Sequence, residues 1–168
     1  MSFSLTRLSK NELLAALERQ LEDNLATLLR RQEDTQEAAT HAENRPEHSK
    51  DTRATEQSYL ARGLAARVQD LRGAIGQLSR SRPRRFASDD PVAAMALVAI
   101  RVEDEPASTL WWLVPAAGGL ELTHQGAKLR TLTPAAPLGR ALLGLQVGDE
   151  ATFSTPRGQR SFELLEIA

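Results

Sequence analysis

Residues 14–28 have the sequence LAALERQLEDNLATL, in which leucine recurs every three or four positions. Residues 60–78, LARGLAARVQDLRGAIGQL, repeat this spacing with leucine, valine and isoleucine. Steps of three and four place these side chains on one face of an α-helix. The two stretches therefore predict two amphipathic helices that bury their apolar faces against each other in a coiled-coil-like seam.

The polar residues 32–58 lie between these helices and contain Pro46. Because proline interrupts a helix, we expect the chain to fold back there as an antiparallel hairpin. In such a hairpin, the residue numbers of the two members of each contacting pair add up to nearly the same total. Five pairs of apolar residues give a total of 88 or 89. The pairs are Leu14 with Ile75, Leu17 with Leu71, Leu21 with Val68, Leu25 with Leu64, and Leu28 with Leu60. The register places the turn at residues 44–45, beside Pro46.

The composition changes near residue 86, after which seven of the ten glycines and six of the eight prolines occur. Short segments rich in aliphatic and β-branched residues alternate there with turn-forming residues, which predicts strands. The predicted strands are 94–102, 110–115, 128–132, 150–154 and 160–167, and residues 137–145 predict one short helix. Neighbouring strand residues face opposite ways, so we expect Trp111 and Trp112 to be one core ring and one exposed ring.

The predicted fold class is α+β, with three segments. An antiparallel coiled-coil hairpin occupies residues 1–79, a basic linker that contains Pro83 occupies residues 80–91, and a small β-sheet domain with one helix occupies residues 92–168.

The composition also excludes several classes of protein. The 168 residues include no cysteine, which excludes disulfides, thiolate metal sites and a cysteine nucleophile. No apolar stretch approaches the roughly 20 residues that span a bilayer, and the N-terminus lacks a signal-peptide pattern, so we expect a cytoplasmic protein without membrane association. Residues 1–86 carry 15 basic and 12 acidic side chains, and residues 87–168 carry 6 and 10. This charge is too weak for non-specific duplex binding.

Four motifs in the second half occur in a distinctive order. Residues 133–144 are TPAAPLGRALLG, followed by VGDE at 147–150, TPRG at 155–158 and FELLEI at 162–167. This order resembles the C-terminal domain of Gre-type transcript-cleavage factors (GreA/GreB), over about residues 92–168. The resemblance implies an FKBP-like sheet domain behind a coiled-coil hairpin. It also implies a non-enzymatic factor that docks on bacterial RNA polymerase and inserts its hairpin into the secondary channel.

In the Gre family, acidic residues at the hairpin tip help hold the second Mg²⁺ of the polymerase, which then cleaves backtracked RNA. The hairpin register places Glu43 and Glu47 on either side of the turn, so we expect them to take this role here, with Asp51 in reserve. These carboxylates would share Mg²⁺ only in the polymerase complex, and the chain would have no cofactor of its own. The local sequence AENRPEH at 42–48 departs from the family, whose tip carboxylates are three positions apart. Counting back from the second helix instead aligns Glu47 and Lys50 with them.

The resemblance also assigns docking residues. Pro137, Leu138 and Arg140 lie in the strongest motif and are expected to contact the polymerase. Arg82, Arg84 and Arg85 of the linker are expected to be solvated, or to contact polymerase or nucleic acid. The partners are RNA polymerase directly and nascent RNA indirectly, and we expect a monomer.

Three alternatives remain open. A DksA-like regulator would bind the channel without stimulating cleavage. A coiled-coil scaffold would pair with another helical protein, although here the apolar positions stop well short of the tip. A prolyl isomerase would need an aromatic-lined pocket, for which the sheet domain offers only four rings, Trp111, Trp112, Phe153 and Phe162. His41 and His48 flank the turn without a third ligand at zinc spacing and are interpreted as solvated.

Overall fold

The computed structural model describes the backbone of residues 4–43 and 50–168 and the side chains of residues 4–41 and 55–168. A short 3₁₀ turn, η1 (Leu5–Arg7), precedes two long helices, α1 (Lys10–Glu43) and α2 (Lys50–Ser79). The following elements are β1 (Leu97–Val102), β2 (Thr109–Leu113), β3 (Glu121–His124), β4 (Ala127–Leu132), α3 (Pro137–Leu142), β5 (Glu150–Thr155) and β6 (Gly158–Ile167). Two long helices followed by a sheet with one helix confirm the predicted fold class.

The chain divides into two compact units. One comprises Arg19–Gly76, and the other comprises Met1–Glu18 together with Gln77–Ala168. These bounds differ from the predicted segments because the N-terminal residues and the predicted linker contribute to the sheet unit. Leu5 and Leu8 are buried. Phe86, which follows the basic run of residues 80–85, is only 7% exposed. Residues 80–91 are thus partly packed against the sheet unit.

Burial in the helical unit follows the predicted stripe at one end only. Leu21 and Val68, predicted as partners, are each 3% exposed, and Leu64 is 9% exposed. Leu60 is 56% exposed beside an exposed Tyr59, so its predicted burial against Leu28 is wrong. The neighbouring residues on this part of α2 are mostly polar or small and supply little apolar surface for it. The predicted turn at residues 44–45 lies outside the described residues, and the register stays a prediction.

The sheet has six strands in the order β3-β4-β2-β1-β6-β5. The β2–β4 pair is parallel and all the other neighbouring pairs are antiparallel. The five predicted strands and the predicted helix occur within a few residues of their expected bounds. Strand β3 was not predicted. It forms a tight hairpin with β4 through Gln125 and Gly126, which both have positive φ (49° and 79°), as a two-residue turn of this kind requires.

One sheet face packs on α3. Val98, Ile100 and Val102 alternate along β1 into a core shared with Phe162 and Leu164 of β6 and with Leu138 and Leu142 of α3. The opposite face buries Leu97 and its cross-strand neighbour Trp112, both fully inaccessible. Trp112 is therefore the predicted core ring, whereas Trp111 is half-buried against the first core rather than exposed.

The N-terminal segment lies on this opposite face. The η1 turn contacts β1, and the Leu5 amide donates to Glu166 Oε1 of β6 at 2.8 Å. At the base of α1, Glu12 Oε2 lies 3.2 Å from His124 Nε2 of β3. These contacts explain why the first residues belong to the sheet unit. Among the described residues, no helix combines the length and the apolar character that crossing a membrane requires.

Candidate functional site

Two of the three predicted tip carboxylates lie at ends of the long helices. Glu43 is the last residue of α1, and Asp51 is the second residue of α2. Their side chains, like all of Glu47 and His48, lie outside the described residues, so the tip geometry stays a prediction. His41 is exposed near the end of α1, in agreement with its interpretation as a solvated side chain. Within the part of the chain that the structure describes, no three acidic or histidine side chains are grouped to bind a metal ion.

The strongest sequence motif, residues 133–144, forms α3 and the loop on which α3 packs. Pro137 occupies the first turn of α3, where its missing amide costs nothing. Gly139 packs directly on the preceding loop: a Cβ there would lie 2.1 Å from the Thr133 carbonyl oxygen and 3.1 Å from Pro134 Cα. Gly144 then ends the segment at φ 82° and donates its amide to Val92 O at 2.8 Å. The motif is therefore largely a packing motif.

The three predicted docking residues differ in accessibility. Leu138 is 6% exposed and belongs to the core under α3, so its side chain cannot contact a partner while α3 is folded. Pro137 and Arg140 are exposed, and Arg140 Nη1 donates to the Ala135 carbonyl at 2.7 Å. The prediction for Leu138 is corrected because helical spacing turns residues 138 and 142 inward together.

The structure adds an apolar residue to this surface. Leu143, three residues after Arg140, is 42% exposed directly after α3. We define the α3 face as Pro137, Arg140 and Leu143. Arg is enriched in protein interfaces, and here its guanidinium is held by a backbone carbonyl next to an exposed apolar side chain. The sequence signal for Leu143 was its spacing of three from Arg140, away from the buried pair at 138 and 142.

The basic run before the sheet is exposed at Arg82, Arg84 and Arg85, and it is anchored. The Arg84 guanidinium lies 4.1 Å from the centroid of the Phe86 ring, and Lys10 Nζ lies 4.5 Å from the same centroid. Lys10 Nζ also donates to the Arg84 carbonyl at 2.6 Å. Burial, and then the nearby Arg84 charge, lower the pKa of Lys10 from 10.5 to about 8. Sequence reasoning missed Lys10, because its neighbours come from residues 74 or more positions away.

The four rings of the sheet domain do not form the cleft of an isomerase. Trp112 and Phe162 are buried, and Phe153 packs edge-to-face on Phe162 with centroids 5.8 Å apart. Trp111 donates its indole N–H to Thr109 Oγ1 at 3.0 Å. These rings serve mainly to build the core.

The remaining ion pairs of the sheet unit join neighbouring chain segments. Arg101 pairs with Glu163 across β1 and β6, and Arg160 Nη1 contacts Glu105 Oε1 at 2.7 Å. Arg130 of β4 pairs with Glu121 of β3 at 2.6 Å. The hydrogen bond from Arg130, together with its charge, lowers the pKa of Glu121. We interpret these exposed pairs as structural links within the sheet.

The comparisons with known proteins point to one family. Residues 125–168 match the family model "Transcription elongation factor, GreA/GreB, C-term". The transcription elongation factor GreA of Chlorobaculum parvum is 26% identical over 131 residues, covering 78% of this chain and 76% of that protein. GreA of Syntrophobacter fumaroxidans is 32% identical over 106 residues, 62% of each chain. The structural alignment with the crystal structure of Thermus aquaticus Gfh1 covers 89% of this chain and 92% of the Gfh1 chain, at 19% identity and a TM-score of 0.39.

The two GreA relatives are transcription elongation factors by name, in agreement with the prediction of a factor that is not itself an enzyme. The family match falls on the unit that contains the α3 motif, and the alignment with the Chlorobaculum parvum protein extends well beyond it. The comparisons thus confirm the resemblance predicted from the motifs: residues 125–168 match the C-terminal family model of GreA/GreB, and most of the chain is similar to GreA.

Proposed function

We propose that this chain binds RNA polymerase and acts through the secondary channel of that enzyme. The observation that carries the proposal is the combination of a GreA/GreB-type C-terminal domain with two helices of 34 and 30 residues. At 1.5 Å per residue these helices are about 51 and 45 Å long. A protein of this size needs no helices so long for a core, but helices of this length suit an element that enters a deep channel.

Docking and effect are assigned to different parts of the chain. The α3 face offers an exposed leucine and an oriented guanidinium, which together supply apolar area and a directional donor for affinity. The tip carboxylates of Glu43 and Glu47, with Asp51 in reserve, act on the Mg²⁺ of the polymerase. When bound there, a second Mg²⁺ helps ionise and orient the attacking water, and carboxylate oxygens are its preferred ligands.

Stimulation of transcript cleavage is the finer part of this proposal. The tip sequence places Arg45 and Lys50 among the acidic residues, and these cations lower the affinity of the carboxylates for a metal ion by repulsion. This observation favours a second candidate function, in which the factor occupies the channel and changes promoter-complex lifetime or pausing without cleavage. Both candidates require polymerase binding and differ only in what the tip does.

A backtracked elongation complex separates the two candidates. Cleavage stimulation predicts that adding the protein releases short 3′ RNA fragments, and that Glu43→Gln with Glu47→Gln abolishes the release. The matched control is Glu33→Gln with Glu37→Gln, a pair with the same spacing of four on the exposed surface of α1. Fragment release lost only in the tip variant supports cleavage. No fragments, with a changed promoter-complex lifetime, supports the regulator. If saturating protein causes neither fragment release nor a change in promoter-complex lifetime, the proposed function is contradicted.

A further inference from the structure

A cavity of about 500 Å³ lies in the sheet unit between the N-terminal segment and the end of the basic run. Residues 5–11 form one wall, and residues 83–86 with Ala168 form the other. This volume is within the range of small-molecule sites in proteins, which is roughly 300–1,000 Å³. No residue of the α3 face is among the described residues that line it, so the docking role of that face leaves this cavity unexplained.

The charged side chains that line the cavity are all basic. They are Arg7 of η1, Lys10 of α1, and Arg84 and Arg85 of the basic run. Among the described residues that line the cavity, none has a carboxylate side chain. The acidic residues on the neighbouring elements have other partners: Glu12 lies against His124, and Glu166 accepts from Ser4 and the Leu5 amide. Among the described residues, the lining thus combines four basic side chains with no acidic side chain.

Two of these cations are held in place. Both Lys10 Nζ and the Arg84 guanidinium lie over the Phe86 ring, at 4.5 and 4.1 Å from its centroid. One ammonium proton of Lys10 binds the Arg84 carbonyl at 2.6 Å, which leaves donors for a ligand. Burial next to Arg84 disfavours the charged form and lowers the pKa of Lys10 to about 8. A bound anion would offset this repulsion, so the site is organised to gain from one.

We propose that this cavity binds a small, multiply charged phosphate compound. The guanidinium fork matches pairs of phosphate oxygens, and an ammonium adds a compact charge beside it. Nucleic acid contacts instead spread over many phosphates along a surface, whereas here the four basic residues line one half-open cavity. A small polyanion is therefore favoured over a nucleic acid strand. This inference is independent of the proposed polymerase function.

Titration calorimetry with inorganic pyrophosphate tests the site in the full chain. We expect saturable binding that Arg85→Gln and Lys10→Met each weaken by about tenfold, the effect of losing one charge-assisted contact. Arg82→Gln is the matched control, because Arg82 belongs to the same basic run but does not line the cavity. It should change the affinity by less than about twofold. Equal losses in Arg82→Gln and Arg85→Gln, or no binding at all, would overturn the proposal.

A pH series adds a readout that a general loss of folding would not give. Lys10 is mostly charged at about pH 7 and mostly neutral at about pH 9. The ratio of dissociation constants between Lys10→Met and the unchanged chain cancels the ionisation of the probe itself. We expect this ratio to fall from about tenfold to about twofold or less over that interval. A ratio that stays constant would contradict a role for the charged ammonium.

A short single-stranded RNA tests the other source of phosphate. The proposal predicts that pyrophosphate binds in the absence of RNA. It also predicts that any binding of the RNA is unchanged by Arg85→Gln. RNA binding that requires Arg7, Lys10 and Arg85, and that pyrophosphate cannot displace, would show a nucleic-acid surface instead and refute the small-ligand site.

Discussion

Substituting Gly139 by alanine should destabilise the sheet unit. The added Cβ would lie 2.1 Å from the Thr133 oxygen and 3.0 Å from its carbonyl carbon, and both atoms belong to the backbone. No side-chain rotation can relieve this overlap, so α3 must move away from the loop. Over-packing costs about 1–3 kcal/mol, and a backbone clash belongs at the upper end. Alanine recovers about 1 kcal/mol of helix propensity, which leaves a net loss of about 2 kcal/mol.

Gly73→Ala is the matched control for that substitution. Gly73 also lies inside a helix, but a Cβ there has no neighbouring atom within 4 Å. Without a clash only the propensity gain remains, so Gly73→Ala should stabilise the helical unit by about 1 kcal/mol.

Urea unfolding measures both effects. Trp111 and Trp112 lie in the sheet unit, so their fluorescence reports its unfolding, and circular dichroism follows the long helices. A loss of about 2 kcal/mol lowers the unfolding midpoint by about 1 M at typical slopes. A Gly139→Ala midpoint equal to or above that of the unchanged chain would refute the close packing of α3 on Thr133.

Three further predictions concern α3, the predicted tip and Lys10. Leu138→Ala should lower the free energy of unfolding by about 2–4 kcal/mol in urea titrations, because it empties a core position. Arg140→Ala should lower the free energy of unfolding by less than about 1 kcal/mol and should instead weaken binding in a titration with polymerase. Glu43→Ala with Glu47→Ala should leave polymerase affinity within about twofold in the same titration, because carboxylates assigned to act on a metal ion rather than to anchor the chain add little affinity. Folding lowers the pKa of Lys10 to about 8, so the unfolded chain binds more protons between pH 8 and 10.5, and stability should rise with pH in that interval. Because Lys10 is partly exposed, we expect the free energy of unfolding to rise by about 1 kcal/mol. Urea titrations at the two pH values should show this rise in the unchanged chain but not in Lys10→Met.

The elements with regular patterns could be predicted from sequence. The leucine stripes identify α1 and α2, and the alternation of aliphatic residues identifies most strands. Strand β3 carries a single buried aliphatic residue, Leu122, within ELTH and therefore has no periodic signal. Its tight turn at Gln125 and Gly126 is the one local feature that could have indicated a hairpin.

Contacts between distant segments could not be predicted. The stripe of α1 suggested Leu14 as a seam residue, but Leu13 is fully buried and Leu14 only half-buried at the base of the helix. The basic run was interpreted as a linker because no local pattern shows that Phe86 is buried or that Lys10 approaches it. Leu138 illustrates the same limit at the site, since a motif gives no sign of whether a residue packs inward or faces a partner.

Binding of the full chain to core RNA polymerase tests the central claim most directly. The chain is labelled on the helical unit and titrated with polymerase, in parallel with Arg140→Glu and with Arg157→Glu as an exposed control in the turn between β5 and β6. The account predicts saturable binding, competition by a GreA protein, and a loss of about tenfold or more in Arg140→Glu alone. Absence of binding, or binding that GreA does not displace and that Arg140→Glu leaves unchanged, would contradict the account.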